Sequence, residues 1–140
     1  MIKVTINGAS GKMGTKVSNL IKNDSSLVEC FDDISCSDLV IDFSQPSSTK
    51  KILKKCVAAK KPIIIGTTGF TNDDLNEIRE AANSIPIVLA ANMSKGIFYL
   101  KKSLASFINN NQDKLRCLIE ETHHLEKVDK PSGTAIELKK

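Results

Sequence analysis

Two short apolar runs, Leu39–Phe43 (L-V-I-D-F) and Pro62–Gly66 (P-I-I-I-G), limit the fold of this chain more than any other feature. A strand wetted on one face alternates polar with apolar residues. These runs do not, and they suit strands covered on both faces. The segment between them, Ser47–Lys60, spaces Ile52, Leu53, Cys56 and Val57 along one side of a helix. Strand, crossover helix and strand make a parallel βαβ unit.

The same alternation runs through the chain. Ile2–Ile6 reads as a first strand, and Lys12–Asn23 as a helix with Met13, Val17, Leu20 and Ile21 on one face. Leu27–Phe31 fits a short second strand. Thr71–Asn83 fits a helix capped by Thr71 or Asn72, with Asp73 and Asp74 at its positive end. Pro86–Ala90 then reads as a strand, Ile97–Asn109 as a helix and Leu115–Glu120 as a last strand. The predicted fold is α/β, a doubly wound and mostly parallel sheet of Rossmann-like kind, forming one domain over residues 1–120.

Composition narrows the functional classes. Apolar residues at 41% and charged residues at 26% are those of a soluble globular protein. No apolar run approaches the ~18 residues that suggest a membrane span. Met1–Ile6 moves straight into a strand pattern without the layout of a secretory signal, so a cytoplasmic protein is expected. Cys30, Cys36, Cys56 and Cys117 form no Cys-x-x-Cys pair and read as free thiols. The net charge of +4 is spread along the chain, and with 4% aromatics and no Trp there is little to stack nucleic-acid bases.

All seven glycines and both histidines fall in a few segments where strands end. In a doubly wound sheet the ligand crevice lies at those ends. Gly8–Gly14 (G-A-S-G-K-M-G) joins the first strand to the first helix, where glycines let backbone N–H groups and a helix N-terminus approach a pyrophosphate. It is not a P-loop, because the spacing is wrong and Met13 stands where Ser or Thr would hold magnesium. Glu29, Asp32 and Asp33 are the acids placed to read an adenosine ribose. Gly66–Phe70 (G-T-T-G-F) and Ala90–Gly96 (A-A-N-M-S-K-G) follow later strands.

The segment Glu120–Ala135 (E-E-T-H-H-L-E-K-V-D-K-P-S-G-T-A) carries the chemistry. Histidine gives or takes a proton near neutral pH, and Lys127 can pair with a carboxylate. The N–H groups of Gly133 and Thr134 suit an anion at a helix start. Together these fit a small dicarboxylate that is protonated as it is reduced. A zinc site fits poorly, since adjacent histidines do not easily chelate one ion and no H-E-x-x-H or cysteine set accompanies them. No metal is expected.

In order and spacing, G-x-x-G-x-M-G, I-D-F-S-x-P (Ile41–Pro46), G-T-T-G, A-N-x-S-x-G and H-H-x-x-K-x-D-x-P-S-G-T-A resemble the dihydrodipicolinate reductase family from Ile2 to the end. The resemblance implies reduction of a cyclic imine, dihydrodipicolinate or its hydrated precursor, by NADH or NADPH in lysine and diaminopimelate synthesis. It implies His123 as general acid or proton relay, with Lys127 also catalytic. His124 and Lys127 would bind one substrate carboxylate, and Ser132, Gly133 and Thr134 the other. Gly8, Ser10, Gly11, Lys12 and Met13 would hold pyrophosphate, and Asp33, with Asp32 as the alternative, the ribose. Phe43, Ser44, Gly66, Thr68, Ala91 and Met93 would surround the nicotinamide.

Three departures qualify those expectations. Asn23–Asp38 is short for the family, Lys130 replaces a small residue before the motif proline, and the chain stops at Lys140. Residues 121–140 therefore read as the catalytic loop and the start of an incomplete substrate domain. The family's homotetramer is not expected of so short a chain. The alternative function is a catalytically inactive nicotinamide-nucleotide-binding remnant. A dehydrogenase of another amino-acid pathway fits the first glycine cluster but not the H-H-x-x-K loop.

Overall fold

The computed structural model describes residues 1–31, 33–111, 113–123, 125 and 130–139. The chain divides into two compact units, Met1–Ala90 and Ala91–Lys140.

The first unit is an all-parallel five-stranded sheet. Its elements are β1 (Ile2–Asn7), α1 (Lys12–Lys22), β2 (Leu27–Glu29), a 3₁₀ turn (Ile34–Cys36), β3 (Leu39–Asp42), α2 (Pro46–Ala59), β4 (Ile63–Ile65), α3 (Asn72–Ala81) and β5 (Ile87–Leu89). The strand order is β2-β1-β3-β4-β5, with Val4 beside Leu39, Val40 beside Ile63 and Ile63 beside Ile87. The chain steps outward from β1 to β2, then returns across β1 to build the other half. That reversal opens a crevice at the carboxyl ends of β1 and β3, where such sheets bind ligands.

Burial explains why the apolar runs are continuous. On β3, Val40 joins a cluster with Leu53 and Cys56 of α2, Ile63 and Ile65 of β4, and Ile78 of α3. The next residue, Ile41, packs on the opposite side with Val4, Ile6, Val17 and Ile21. The sheet thus carries helices on both faces, as the doubly wound reading expects. Burial in the larger cluster also pushes the Cys56 thiol up to about 11, with the nearby Asp42 charge adding to the effect. Cys36, Cys56 and Cys117 are free cysteines.

Helix boundaries follow local chemistry. Pro46 occupies the first turn of α2, where its missing N–H costs nothing, so the helix starts one residue before the expected Ser47. Thr71 is the N-cap of α3. Its hydroxyl accepts from the Asp74 N–H at 3.2 Å, and the Asp74 carboxylate accepts from the Thr71 N–H at 2.9 Å. Lys50 of α2 closes on the same carboxylate at 2.5 Å. These contacts, the Lys50 ammonium foremost, hold the Asp74 carboxyl down at about 2.

Two expectations fail. Met13 and Leu20 of α1 are 48% and 70% exposed, and the face on the sheet is instead Gly14, Val17 and Ile21. Gly14 lies directly on the Gly8–Ala9 backbone, which turns that side of the helix inward. The last strand, Leu115–Glu120, does not form. A strand exists by pairing, and this apolar run remains open, with Leu118 81% exposed.

The second unit contains α4 (Lys95–Asn109) and α5 (Gly133–Leu138). Ser94 caps α4, yet no residue of that helix is buried. Phe98 and Tyr99 touch edge to face at 5.5 Å, and both are exposed. Among the described residues no helix is long and apolar enough to cross a membrane.

The exposed Leu20 and the buried Ile63 differ in what their side chains contribute to stability. Replacing buried Ile63 with Ala is expected to cost ~2–5 kcal/mol in urea denaturation, whereas Leu20→Ala stays within ~0.5 kcal/mol. Equal losses would show that α1 buries the Leu20 side after all.

Candidate active site

Three loops at the carboxyl edge of the sheet meet around one peptide. Gly8, with φ of +88°, ends β1, and a Cβ there would overlap the Phe43 carbonyl oxygen. A Cβ at Gly66, after β4, would overlap the Phe43 ring. Glycine at these positions is therefore required by close approach, and at Gly8 also by a left-handed backbone. The Thr15 hydroxyl donates to the Ala9 carbonyl at 3.1 Å and the Gly11 N–H to the Gly8 carbonyl at 3.0 Å, fixing the turn onto α1.

This turn leaves a place for an anion. Gly11 is the N-cap of α1 and offers no side-chain acceptor, and the first turn contains no acid. Orphan amides at a helix start with Lys12 beside them attract phosphate. Ser10, Gly11, Lys12 and Met13 are exposed around it, so the candidate pyrophosphate residues fall together. Phe43, Ser44, Gly66 and Thr68 are half-buried at the neighbouring strand ends.

The candidate ribose acids are distributed differently. The Glu29 carboxylate, at the end of β2, is engaged by the Ser18 hydroxyl at 2.5 Å. Asp33 is exposed and precedes the 3₁₀ turn without a side-chain capping bond. Asp32 lies outside the described residues.

In the second unit, a cleft of about 380 Å³ is lined by Ala91, Asn92, Glu121, His123, Gly133 and Thr134 among others. One carboxylate organises it. Glu121 Oε2 lies 3.0 Å from His123 Nε2, and Glu121 Oε1 accepts the Ser132 N–H at 2.8 Å. Ser132 in turn caps α5, its hydroxyl accepting from the Ala135 N–H at 3.1 Å. Asn92 donates to the Thr134 hydroxyl at 2.8 Å and accepts from the Ser94 N–H at 2.8 Å, which joins the A-N-x-S segment to the S-G-T turn. The Ser132 contacts, followed by the His123 ring, hold the Glu121 carboxyl at about 2. Met93 is 46% exposed. His124 and Lys127 lie outside the described residues.

The sequence reading missed Glu121 and Asp42. Glu121 was legible in principle, because residues two apart in an extended segment share a side, placing it with His123. Asp42 stood in view within I-D-F-S but passed as a strand residue. It is fully buried and receives the side chains of Asn7, Ser44, Thr49 and Thr67.

Comparison with known proteins gives a consistent result. A family profile described as dihydrodipicolinate reductase, N-terminus, matches residues 24–93, and one described as the C-terminus of the same enzyme matches residues 95–140. The chain is 35% identical to 4-hydroxy-tetrahydrodipicolinate reductase of Clostridium tetani, over 97% of this chain and 61% of that protein. Identity to the Akkermansia muciniphila protein of the same name is 37%, over 96% of this chain and 58% of that one. The Campylobacter jejuni protein of that name also shares 37%, over 99% and 60%. The chain thus spans about three-fifths of the length of the curated relatives it matches. Among solved structures, a dipicolinate-bound dihydrodipicolinate reductase from Paenisporosarcina sp. TG-14 shares the fold. Its TM-score is 0.71 at 22% identity, covering 99% of this chain and 64% of that one.

The Glu121 contacts predict a titration. The order this carboxylate confers on the loop is complete above its ordinary value of 4.5 and is lost as pH falls through about 2. The Ser132 amide resonance is expected to move with a midpoint near 2 and to lose that movement in Glu121→Gln. A midpoint at 4.5 would mean that the carboxylate is free.

Proposed function

The chain belongs to the dihydrodipicolinate reductase family, and we propose that it reduces dihydrodipicolinate or its hydrated precursor to tetrahydrodipicolinate, in lysine and diaminopimelate synthesis. The observation that carries this reading is the contact of Glu121 with both His123 and the Ser132 amide, at 3.0 and 2.8 Å. An imidazole held by a carboxylate that is itself seated on the S-G-T turn supports the reading of His123 as a proton donor and of that turn as a dicarboxylate site.

NADH or NADPH, when bound, supplies the hydride. The first unit fits such a cofactor. The open first turn of α1 can take the pyrophosphate, and Gly8 and Gly14 let the turn before it pack closely on the Phe43 carbonyl and on its own backbone. Gly8, Ser10, Gly11, Lys12 and Met13 would hold the pyrophosphate, and Asp33, the exposed acid, the ribose. Phe43, Ser44, Gly66, Thr68, Ala91 and Met93 would enclose the nicotinamide.

Each residue of the loop then has a task. With His123 Nε2 directed at Glu121, Nδ1 of the doubly protonated ring would be the nitrogen that delivers a proton as the imine is reduced, leaving the neutral ring with its Nε2–H on Glu121. Lys127 and His124 would pair with one substrate carboxylate. The Gly133 and Thr134 amides and the Ser132 hydroxyl would receive the other. By task, residues 1–120 hold the cofactor and residues 121–140 the catalytic loop and the start of a substrate domain. The protein would work in the cytoplasm on a small dicarboxylate, without nucleic-acid or membrane partners, and the family's homotetramer is not part of the proposal.

One observation favours the second reading, cofactor binding without turnover. The second unit holds α4 with none of its residues buried, and reacting groups need firm support to stay aligned.

The two readings separate in one assay. Cofactor absorbance is followed with dihydrodipicolinate generated in situ, alongside cofactor binding. The reductase predicts turnover that falls by ~10²–10⁴ in His123→Ala, with cofactor affinity unchanged. Binding without turnover would favour the silent module. Undiminished turnover in the His123→Ala, Lys127→Ala double mutant would remove both residues from the mechanism.

A further inference from the structure

Asp42, the last residue of β3, is a fully buried carboxylate that the chemistry above leaves unused. Four neutral donors converge on it. Asn7 Nδ2 at 2.7 Å and the Ser44 hydroxyl at 2.6 Å reach Oδ1. The Thr49 hydroxyl at 2.5 Å and the Thr67 hydroxyl at 3.0 Å reach Oδ2. A carboxylate offers about four acceptor sites, so none is left for a ligand. Thr67 is 5% exposed and equally withdrawn from the crevice. Neither residue is placed to touch a bound molecule.

The donors come from four places: the end of β1, the loop after β3, the first turns of α2, and the loop after β4. Burying a carboxylate without a cation is costly, and an apolar residue would hold the strands together as well. A hub of this kind does something that an apolar residue does not, which is to fix orientation. The Thr67 hydroxyl has one proton. Donated to Asp42, it leaves a lone pair aimed at the Ser44 N–H, which it accepts at 2.9 Å. The 43–44 peptide is thereby locked in rotation. Gly8 leaves no room against the carbonyl of Phe43, and Gly66 none against its ring.

We infer that Asp42, acting through the Thr67 hydroxyl, is a positioning residue that sets the loops after β1, β3 and β4 as one rigid wall for the cofactor. The cofactor part rests on the function proposed above, whereas the coupling of the loops does not.

The test uses the full chain. Thr67→Val keeps the shape and removes the hydroxyl, Thr67→Ala removes it without setting a methyl group against the carboxylate, and Thr67→Ser restores it. Thr49→Val removes a donor from the same oxygen while leaving the Ser44 lock intact. All four are compared at a temperature where circular dichroism shows each to be folded.

Thr67→Val and Thr67→Ala are expected to bind NADH or NADPH about tenfold more weakly, with Thr67→Ser and Thr49→Val close to the unsubstituted chain. Amide exchange at Gly8, Ser44 and Gly66 is expected to quicken about tenfold in the first two variants, with the amides of Ile6 and Ile41 unchanged. Unchanged affinity and exchange in Thr67→Val and Thr67→Ala would overturn the inference. So would losses in Thr49→Val as large as theirs, since the effect would then be general stability. If the unsubstituted chain binds neither cofactor, the functional reading fails, and the exchange rates alone decide the loop coupling.

Discussion

The fold turns on the burial of β3 from both sides. Val40 and Ile41 are neighbours in sequence, yet one enters the core beneath α2 and α3 and the other the core beneath α1. A strand buried this way must be interior to the sheet, with β1 and β4 as its neighbours. Its end is consequently flanked by two other strand ends, and three loops have to share a small volume. The absence of side chains at Gly8 and Gly66, and the inward turn of Thr67, are answers to that crowding. The crevice is the place where a two-sided core runs out of apolar residues and polar ones take over.

The parts that were legible in the sequence are those with a local cause. Two-faced strands announce themselves as unbroken apolar runs, and the cap at Thr71 is a short-range hydrogen-bonding pattern. The glycine turn was readable because it joins a strand to a helix. The inward face of α1 was misjudged by simple spacing, since Gly14 counts for nothing on a hydrophobicity scale. It packs backbone to backbone, and that contact decided the rotation of the helix. Residues 115–120 have a strand's composition, yet composition alone does not make a strand, and none forms there.

The groups that organise the candidate residues within each unit were harder to see. Asp42 and Glu121 are both acceptors whose donors arrive from elsewhere. Asn7 lies 35 residues from Asp42, and Ser132 lies 11 from Glu121. Both acids hold other residues in place, a role that carries no signature of residue type. They differ in setting. Asp42 is sealed within a packed sheet, whereas Glu121 works in a unit whose longest helix buries nothing. The proposed pyrophosphate residues thus stand in the unit with the packed apolar core, and the proposed proton donor in the unit whose longest helix has no buried residue.

The parallel sheet also governs how this molecule comes to exist. It contains no hairpin, so no pair of strands can zip from a tight turn. Each pairing must close a loop around a helix, and the central β1–β3 pairing encloses α1 and β2 together. Loop-closure entropy is spent before the long-range contacts reward it. The first unit is therefore a slow folder for its size, and while it folds, the unpaired edges of β3 and β4 are its exposure to aggregation.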